Sequence, residues 1–177
     1  MIQNWSQIYH KECQKRSNFL DSVPWTSPHG LLATWFGFGL LVPAPGSWGT
    51  LGGLLFVILL ATVFPVWSLL IWALVLFFVG IWAARKIEHA SKEHDSSFIV
   101  IDEVVAILLV MGACPSDLTA TYTIAAFLSF RFFDVVKPWP VSWADKKISG
   151  AMGVMLDDIL AALYAIGFLY LAEWAFS

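Results

Sequence analysis

From Gly30 to Ala84 the chain contains no Asp, Glu, Lys or Arg, a run long enough for at least two membrane passes. Glycines and prolines interrupt it at Gly37, Gly39, Pro43, Pro45, Gly46, Gly49, Gly52 and Gly53. The pattern predicts a short helix over Leu31–Val42 that dips in and returns, with Pro43–Thr50 as its loop. Two spans follow, Thr50 to about Phe64 and Trp67–Ala84, turning at Pro65. Arg85–Ser97 is a charged connector, and Phe98–Ala113 a third span interrupted early by Asp102 and Glu103. After a turn at 114–117, Thr119–Phe133 is a fourth span ending in Asp134. Residues 137–150 form another charged connector, and Met152–Ala172 is a fifth span with Asp157 and Asp158 in its first turns. The expected fold is all-α, a polytopic membrane helix bundle of about five spans plus a short re-entrant or broken helix.

Polar Met1–His29, of mixed charge, reads as an amphipathic or irregular cytoplasmic segment without signal-peptide character. Residues 30–177 then form a single membrane-embedded domain. Composition agrees: 59% of the 177 residues are hydrophobic and only 13% charged, about half the charge of an ordinary soluble domain. No basic stripe suggests nucleic acid. Cys13 and Cys114 share no CxxC or zinc spacing and start no Cys-x5-Arg loop, which leaves a disulfide framework and a cysteine phosphatase both unsupported.

Connector charge sets the orientation. Lys11, Lys15, Arg16, Arg85, Lys86, Lys92, Lys137, Lys146 and Lys147 all fall on one side, and the opposite turns carry no base. The positive-inside rule makes that side cytoplasmic. Asp102, Glu103, Asp134, Asp157 and Asp158, far apart in sequence, then converge at similar depth near that same face.

Ionised residues inside spans cost roughly 2.5–3.5 kcal/mol each, so they are functional by default. Clustered carboxylates repel unless protons or cations intervene. With no His or Cys among these five, an all-oxygen shell suits Mg²⁺, or Mn²⁺ as second choice. Arg131, Asp134 and Lys137 recur every three residues before Pro138 and Pro140 stop the helix. This is an acid between two bases, as a phosphate site needs, or alternatively a snorkelling Arg and Lys beside a helix-end Asp. The loop with Gly46, Ser47, Gly49 and Thr50 opens a helix, and is either a phosphate cradle or a plain turn. Ser47 or Thr50 can cap that helix, and Asp95-Ser96-Ser97 reads as the N-cap of the third span, with Asp95 otherwise supporting the site. Gly150 and Gly153 suit close helix packing. Trp139 and Trp143 read as headgroup-level anchors.

Four stretches occur in order: VPAPGSWGTLGG at 42–53, DSSFIVIDEVV at 95–105, FRFFDVVKPWP at 130–140 and GVMLDDILA at 153–161. Together they resemble the bacterial phosphatidylglycerophosphatase A family over roughly residues 31–165. The resemblance implies a Mg²⁺-dependent inner-membrane phosphatase that converts phosphatidylglycerophosphate to phosphatidylglycerol. It places Asp102, Glu103, Asp134, Lys137, Asp157 and Asp158 in the site, with Asp95 and Arg131 nearby. Val136, Ala106, Ala162 and Ala151 depart from the family's pattern at packing positions, and Trp35 replaces a usual small residue, a change that bears on lipid entry. In this reading Arg131 and Lys137 bind the phosphoryl group, and the carboxylates hold metal and activate water. Two rivals stand beside it. A CDP-headgroup synthase would need an Asp-Gly signature, which the chain lacks. An ion or metal transporter would also carry intramembrane acids, but spread through the membrane depth.

Overall fold

The computed structural model describes residues 2–91, 96–113 and 118–176, and every regular element in them is helical. Asp95, Lys92 and the turn at 114–117 lie outside the described residues. The helices are α1 (Ile2–Ser22), α2 (Pro28–Ala33), α3 (Pro45–Ala61), α4 (Ser68–Ser91), α5 (Ile101–Gly112), α6 (Ala120–Val136), α7 (Val141–Lys147) and α8 (Ala151–Phe176).

The bundle is built around α5. Ten of its 12 residues are buried, among them Val104, Val105, Ile107 and Leu108, and α3, α4, α6 and α8 surround it. The long helices alternate in direction. The start of α4, at Leu69 and Leu70, meets Gly112 at the end of α5, and Tyr170 late in α8 donates to the Ala113 carbonyl at 2.9 Å. At the opposite end, Glu88 of α4 lies beside Gly150. The first turns of α3, α5 and α8 therefore share one end of the bundle with the last turn of α6.

Outward faces are apolar. Leu55 and Leu59 of α3, Leu74 and Phe78 of α4, Leu128 and Phe132 of α6, and Leu163 and Leu171 of α8 are all exposed. Helices Ser68–Ser91 and Ala151–Ala175 are long and apolar enough to cross a membrane, and less than half of either is buried. A soluble core helix would be covered; these present hydrocarbon outward. The other three expected spans are shorter. At 17, 12 and 17 residues, α3, α5 and α6 run roughly 26, 18 and 26 Å, against a hydrocarbon core of roughly 30 Å.

Two boundary expectations are corrected. The dip over Leu31–Val42 is a broken element: α2 stops at Ala33, and Trp35, Phe36 and Gly37 take positive φ before a 3-10 turn at Phe38–Leu40. The first expected span starts at Pro45, inside the expected loop, because proline suits the first helical turn. The N-terminal segment is a 21-residue helix whose far end docks on the bundle through buried Phe19 and Val23, with Trp5, Ile8 and Tyr9 exposed.

Candidate active site

Where the four helix ends meet, a cavity of about 460 Å³ opens. Each helix contributes what its end can carry. Asp102 and Glu103 occupy the first turn of α5, where partial positive charge from unpaired N–H groups favours acids, and Asp102 Oδ1 accepts the Glu103 N–H at 3.0 Å. From α6 come Arg131 and Asp134, one turn apart, and then Lys137, whose left-handed conformation (φ 46°) ends the helix just before Pro138. Asp157 and Asp158 come from the second turn of α8, and Ala44, Pro45 and Gly46 from the start of α3. The connector through α7 adds Asp145, Lys146 and Ser149.

Ion pairs sort these groups. Arg131 lies 2.8 Å from Asp134 and 3.7 Å from Glu103. Lys137 Nζ donates to Asp157 Oδ2 at 2.7 Å and to Asp145 Oδ1. Burial alone would pull its pKa down, but these two carboxylates outweigh burial and hold the ammonium well above the ordinary lysine value. Asp102, Glu103 and Asp158 are left as a trio, with one oxygen from each lying within 4.8 Å of the other two. Asp102 and Asp158 are only 7% and 4% exposed, and Glu103 Oε2 and Asp158 Oδ2 are buried without a hydrogen-bond partner.

The pattern of the family described as Phosphatidylglycerophosphatase A matches residues 31–173. Phosphatidylglycerophosphatase A of Haemophilus influenzae is 39% identical over 150 residues, covering 85% of this chain and 91% of that protein. The Escherichia coli protein of the same name is 34% identical over 164 residues, 91% of this chain and 90% of its own. The chain belongs to the phosphatidylglycerophosphatase A family. A protein of Bacteroides thetaiotaomicron named putative phosphatidylinositol-3-phosphatase is 40% identical over 150 residues, covering 81% of this chain and 92% of its own. No solved structure matches the chain.

A phosphatase of this family must accept an anion, and the cavity wall as it stands repels one. Six carboxylates line it (Asp102, Glu103, Asp134, Asp145, Asp157, Asp158) against three cations (Arg131, Lys137, Lys146). Charge of this sign and density requires protons or cations before a phosphate can enter. The trio's spacing, its orphaned buried oxygens and its purely oxygen donor set fit a hard divalent cation such as Mg²⁺.

Of the loop residues proposed for phosphate, Gly46 alone lines the cavity; Ser47, Gly49 and Thr50 do not. The α3 glycines serve close approach instead. A Cβ on Gly46 would collide with Glu103 Oε1, one on Gly49 would come within 2.5 Å of Val100, and one on Gly53 within 2.7 Å of Ile107. Small residues at three- and four-residue spacing let α3 lie against the start of α5 and press the loop onto the Glu103–Arg131 pair. Neither Ser47 nor Thr50 caps: Ala44 holds the N-cap position, and Thr50 Oγ1 donates to the Gly46 carbonyl. Likewise α5 starts beyond Ser96 and Ser97, at Ile101, with Val100 as N-cap. The two serines line the cavity instead, and Ser96 Oγ is buried without a partner. Gly150 is needed for its positive φ (75°), and Gly153 gives room to the Ile148 carbonyl rather than to a neighbouring helix.

Sequence reading missed Asp145. It sits among lysines in a connector, and the packing of α7 against α8 brings it to Lys137. A charge eight residues past Lys137, beyond two prolines, carries no periodic signal.

Proposed function

We propose that this protein hydrolyses the phosphate monoester of phosphatidylglycerophosphate, giving phosphatidylglycerol and phosphate, at the cytoplasmic face of a bacterial inner membrane. What carries the reading is the meeting of six carboxylates and three cations in one cavity at one end of an apolar-faced bundle, in a chain of this family. On this reading α3, α4, α5, α6 and α8 all thread the bilayer, with the short α5 shielded by its neighbours and the connector bases inside.

Asp102, Glu103 and Asp158 would hold Mg²⁺, with Asp134 and Asp157 at its margin. When bound, the ion supplies Lewis-acid neutralisation of phosphate oxygens. Arg131 and Lys137 take up the remaining charge that develops on the phosphoryl group. Lys137 has three N–H donors and spends two on Asp145 and Asp157, leaving one for substrate. Asp134, a carboxylate outside the trio, accepts the attacking water's proton. The water oxygen bonds phosphorus, the bond from phosphorus to the glycerol oxygen breaks, and the proton passes to that leaving oxygen. The buried wall excludes bulk water from all but the open side.

An ion path would need polar groups along the bilayer depth, whereas the acids of this cavity gather at one end, so transport is the weaker reading. Purified protein should release phosphate from phosphatidylglycerophosphate, and excess chelator should abolish that release. Undiminished turnover in chelator removes the metal from the scheme. Phosphatidylinositol 3-phosphate belongs in the same assay as a competing headgroup; preference for it would reassign the substrate while leaving the chemistry intact. Sidedness is tested with Cys13 and Cys114 replaced. Ser142→Cys should label from the cytoplasm and Thr62→Cys from outside, and the reverse pattern refutes the orientation.

A further inference from the structure

Below the polar cavity, along the seam between α6 and α8, lies a second hollow of about 510 Å³ lined by Phe133, Leu160, Tyr164, Gly167, Phe168 and Leu171. It continues the site. Asp157, Leu160, Tyr164, Phe168 and Leu171 follow one another at three- and four-residue steps, so a single face of α8 passes from carboxylate to apolar wall. On α6, Phe133 immediately precedes Asp134, and its ring lies 5.4 Å from that of Tyr164 and 6.1 Å from that of Phe168. The Tyr164 hydroxyl donates to the Trp139 carbonyl at 2.6 Å, fastening the wall to the connector that follows Lys137.

Depth matches one leaflet. Leu160 to Leu171 rises roughly 16 Å along the helix, half of a hydrocarbon core of roughly 30 Å. Gly167 leaves the floor open: a Cβ there would have no atom within 4 Å, so the glycine serves neither a turn nor helix contact.

We propose that this α6–α8 groove seats an acyl chain of the phospholipid whose phosphorylated headgroup occupies the cavity above. The inference rests on the lipid-phosphatase reading. It makes the enzyme a chain-gripping one, in which apolar contact along α8 fixes the headgroup's height against Lys137 and Asp158.

The test is Gly167→Leu, which fills the hollow from an exposed helix position, with Gly167→Ala as a control that leaves most of it open. Two substrates are compared: dioleoyl phosphatidylglycerophosphate in mixed micelles and its fully deacylated, water-soluble headgroup. Gly167→Leu should lower kcat/KM for the dioleoyl substrate about tenfold, the scale of a blocked hydrophobic pocket, and leave the deacylated one unchanged. Equal rates for wild type and Gly167→Leu on the dioleoyl substrate overturn the proposal, as does a parallel loss on both substrates with Gly167→Ala normal. A readout independent of turnover uses a dioleoyl analogue with a diazirine at mid-chain. Crosslinks should concentrate between Leu160 and Leu171 in wild type and disappear there in Gly167→Leu. Labelling spread evenly over the outer faces of α3 and α4 would mean bulk lipid, and a crosslinked dimer through α8 would mean a second copy; either overturns it. Wild type that hydrolyses neither substrate refutes the phosphatase reading instead, while the crosslinks still report on the groove.

Discussion

The chain carries two adjacent acidic pairs, each near the start of a helix, and the fold treats them differently. Asp102 and Glu103 both join the carboxylate trio, and Glu103 also faces Arg131. In the second pair only Asp158 joins; Asp157 turns to Lys137 at 2.7 Å. Neighbours on a helix point about 100° apart, so adjacency cannot hold both on one target unless the target is broad or the helix end is aimed between them. On α5 the cavity lies over the helix end, within reach of both side chains. On α8 the cavity lies beside the second turn, so one acid reaches the trio and the other its rim. Two look-alike dipeptides thus acquire different duties from where the helix end points.

That contrast can be broken by substitution. Asp158→Asn and Glu103→Gln should each lower kcat/KM by about 10³ or more, since each removes one of the three charges proposed to hold the cation. The distinguishing sign is the Mg²⁺ titration: Asp158→Asn should need far more Mg²⁺ for half-activity. A variant with unchanged Mg²⁺ dependence would take Asp158 out of the trio. In chelator Asp158→Asn should melt at a higher temperature than wild type, because one of three buried, mutually repelling carboxylates has gone.

Lys137→Met comes next, with an expected loss of about 10²–10³ in kcat, the scale of one missing donor to a developing anion. Here the Mg²⁺ dependence should stay as in wild type. Near-normal turnover would reduce Lys137 to a structural anchor for α7.

Much of this was legible in the residues, for identifiable reasons. Acids inside apolar runs cost too much to be incidental, so Asp102, Glu103, Asp134, Asp157 and Asp158 announce themselves, and helices of alternating direction bring them to one end. Connector geometry carries no such signal. Asp145 reaches Lys137 only because α7 folds back on α8, and Ser96 and Ser97 reach the cavity because α5 starts later than their capping chemistry suggested. The α3 glycines misled in the opposite direction. A Gly-rich helix start looks the same in sequence whether its missing side chains admit a phosphate or a neighbouring helix. Contacts with Val100 and Ile107 decide for the helix at Gly49 and Gly53. Gly46→Ala accordingly tests packing against the site itself: its Cβ would displace Glu103, so a loss of about tenfold or more is expected, whereas Ser47→Ala should be nearly silent.

The smallest effects should come from the carboxylates that hold Lys137, and they sharpen the comparison most. Asp145 and Asp157 both accept from its ammonium, so removing either leaves the other to orient it. Asp145→Asn, about one-third exposed and remote from the trio, should cost only a few-fold in kcat. Asp157→Asn, more deeply buried, should cost about tenfold to a hundredfold, as for groups that orient others at a site. The double variant should lose more than the product of the two single losses, because Lys137 then has no fixed partner among the residues described. Multiplicative losses would mean the two acids act independently, with Asp157 serving the reaction directly rather than through Lys137. A shift in Mg²⁺ dependence for Asp157→Asn would go further and return it to the metal site, erasing the difference between the two acidic pairs.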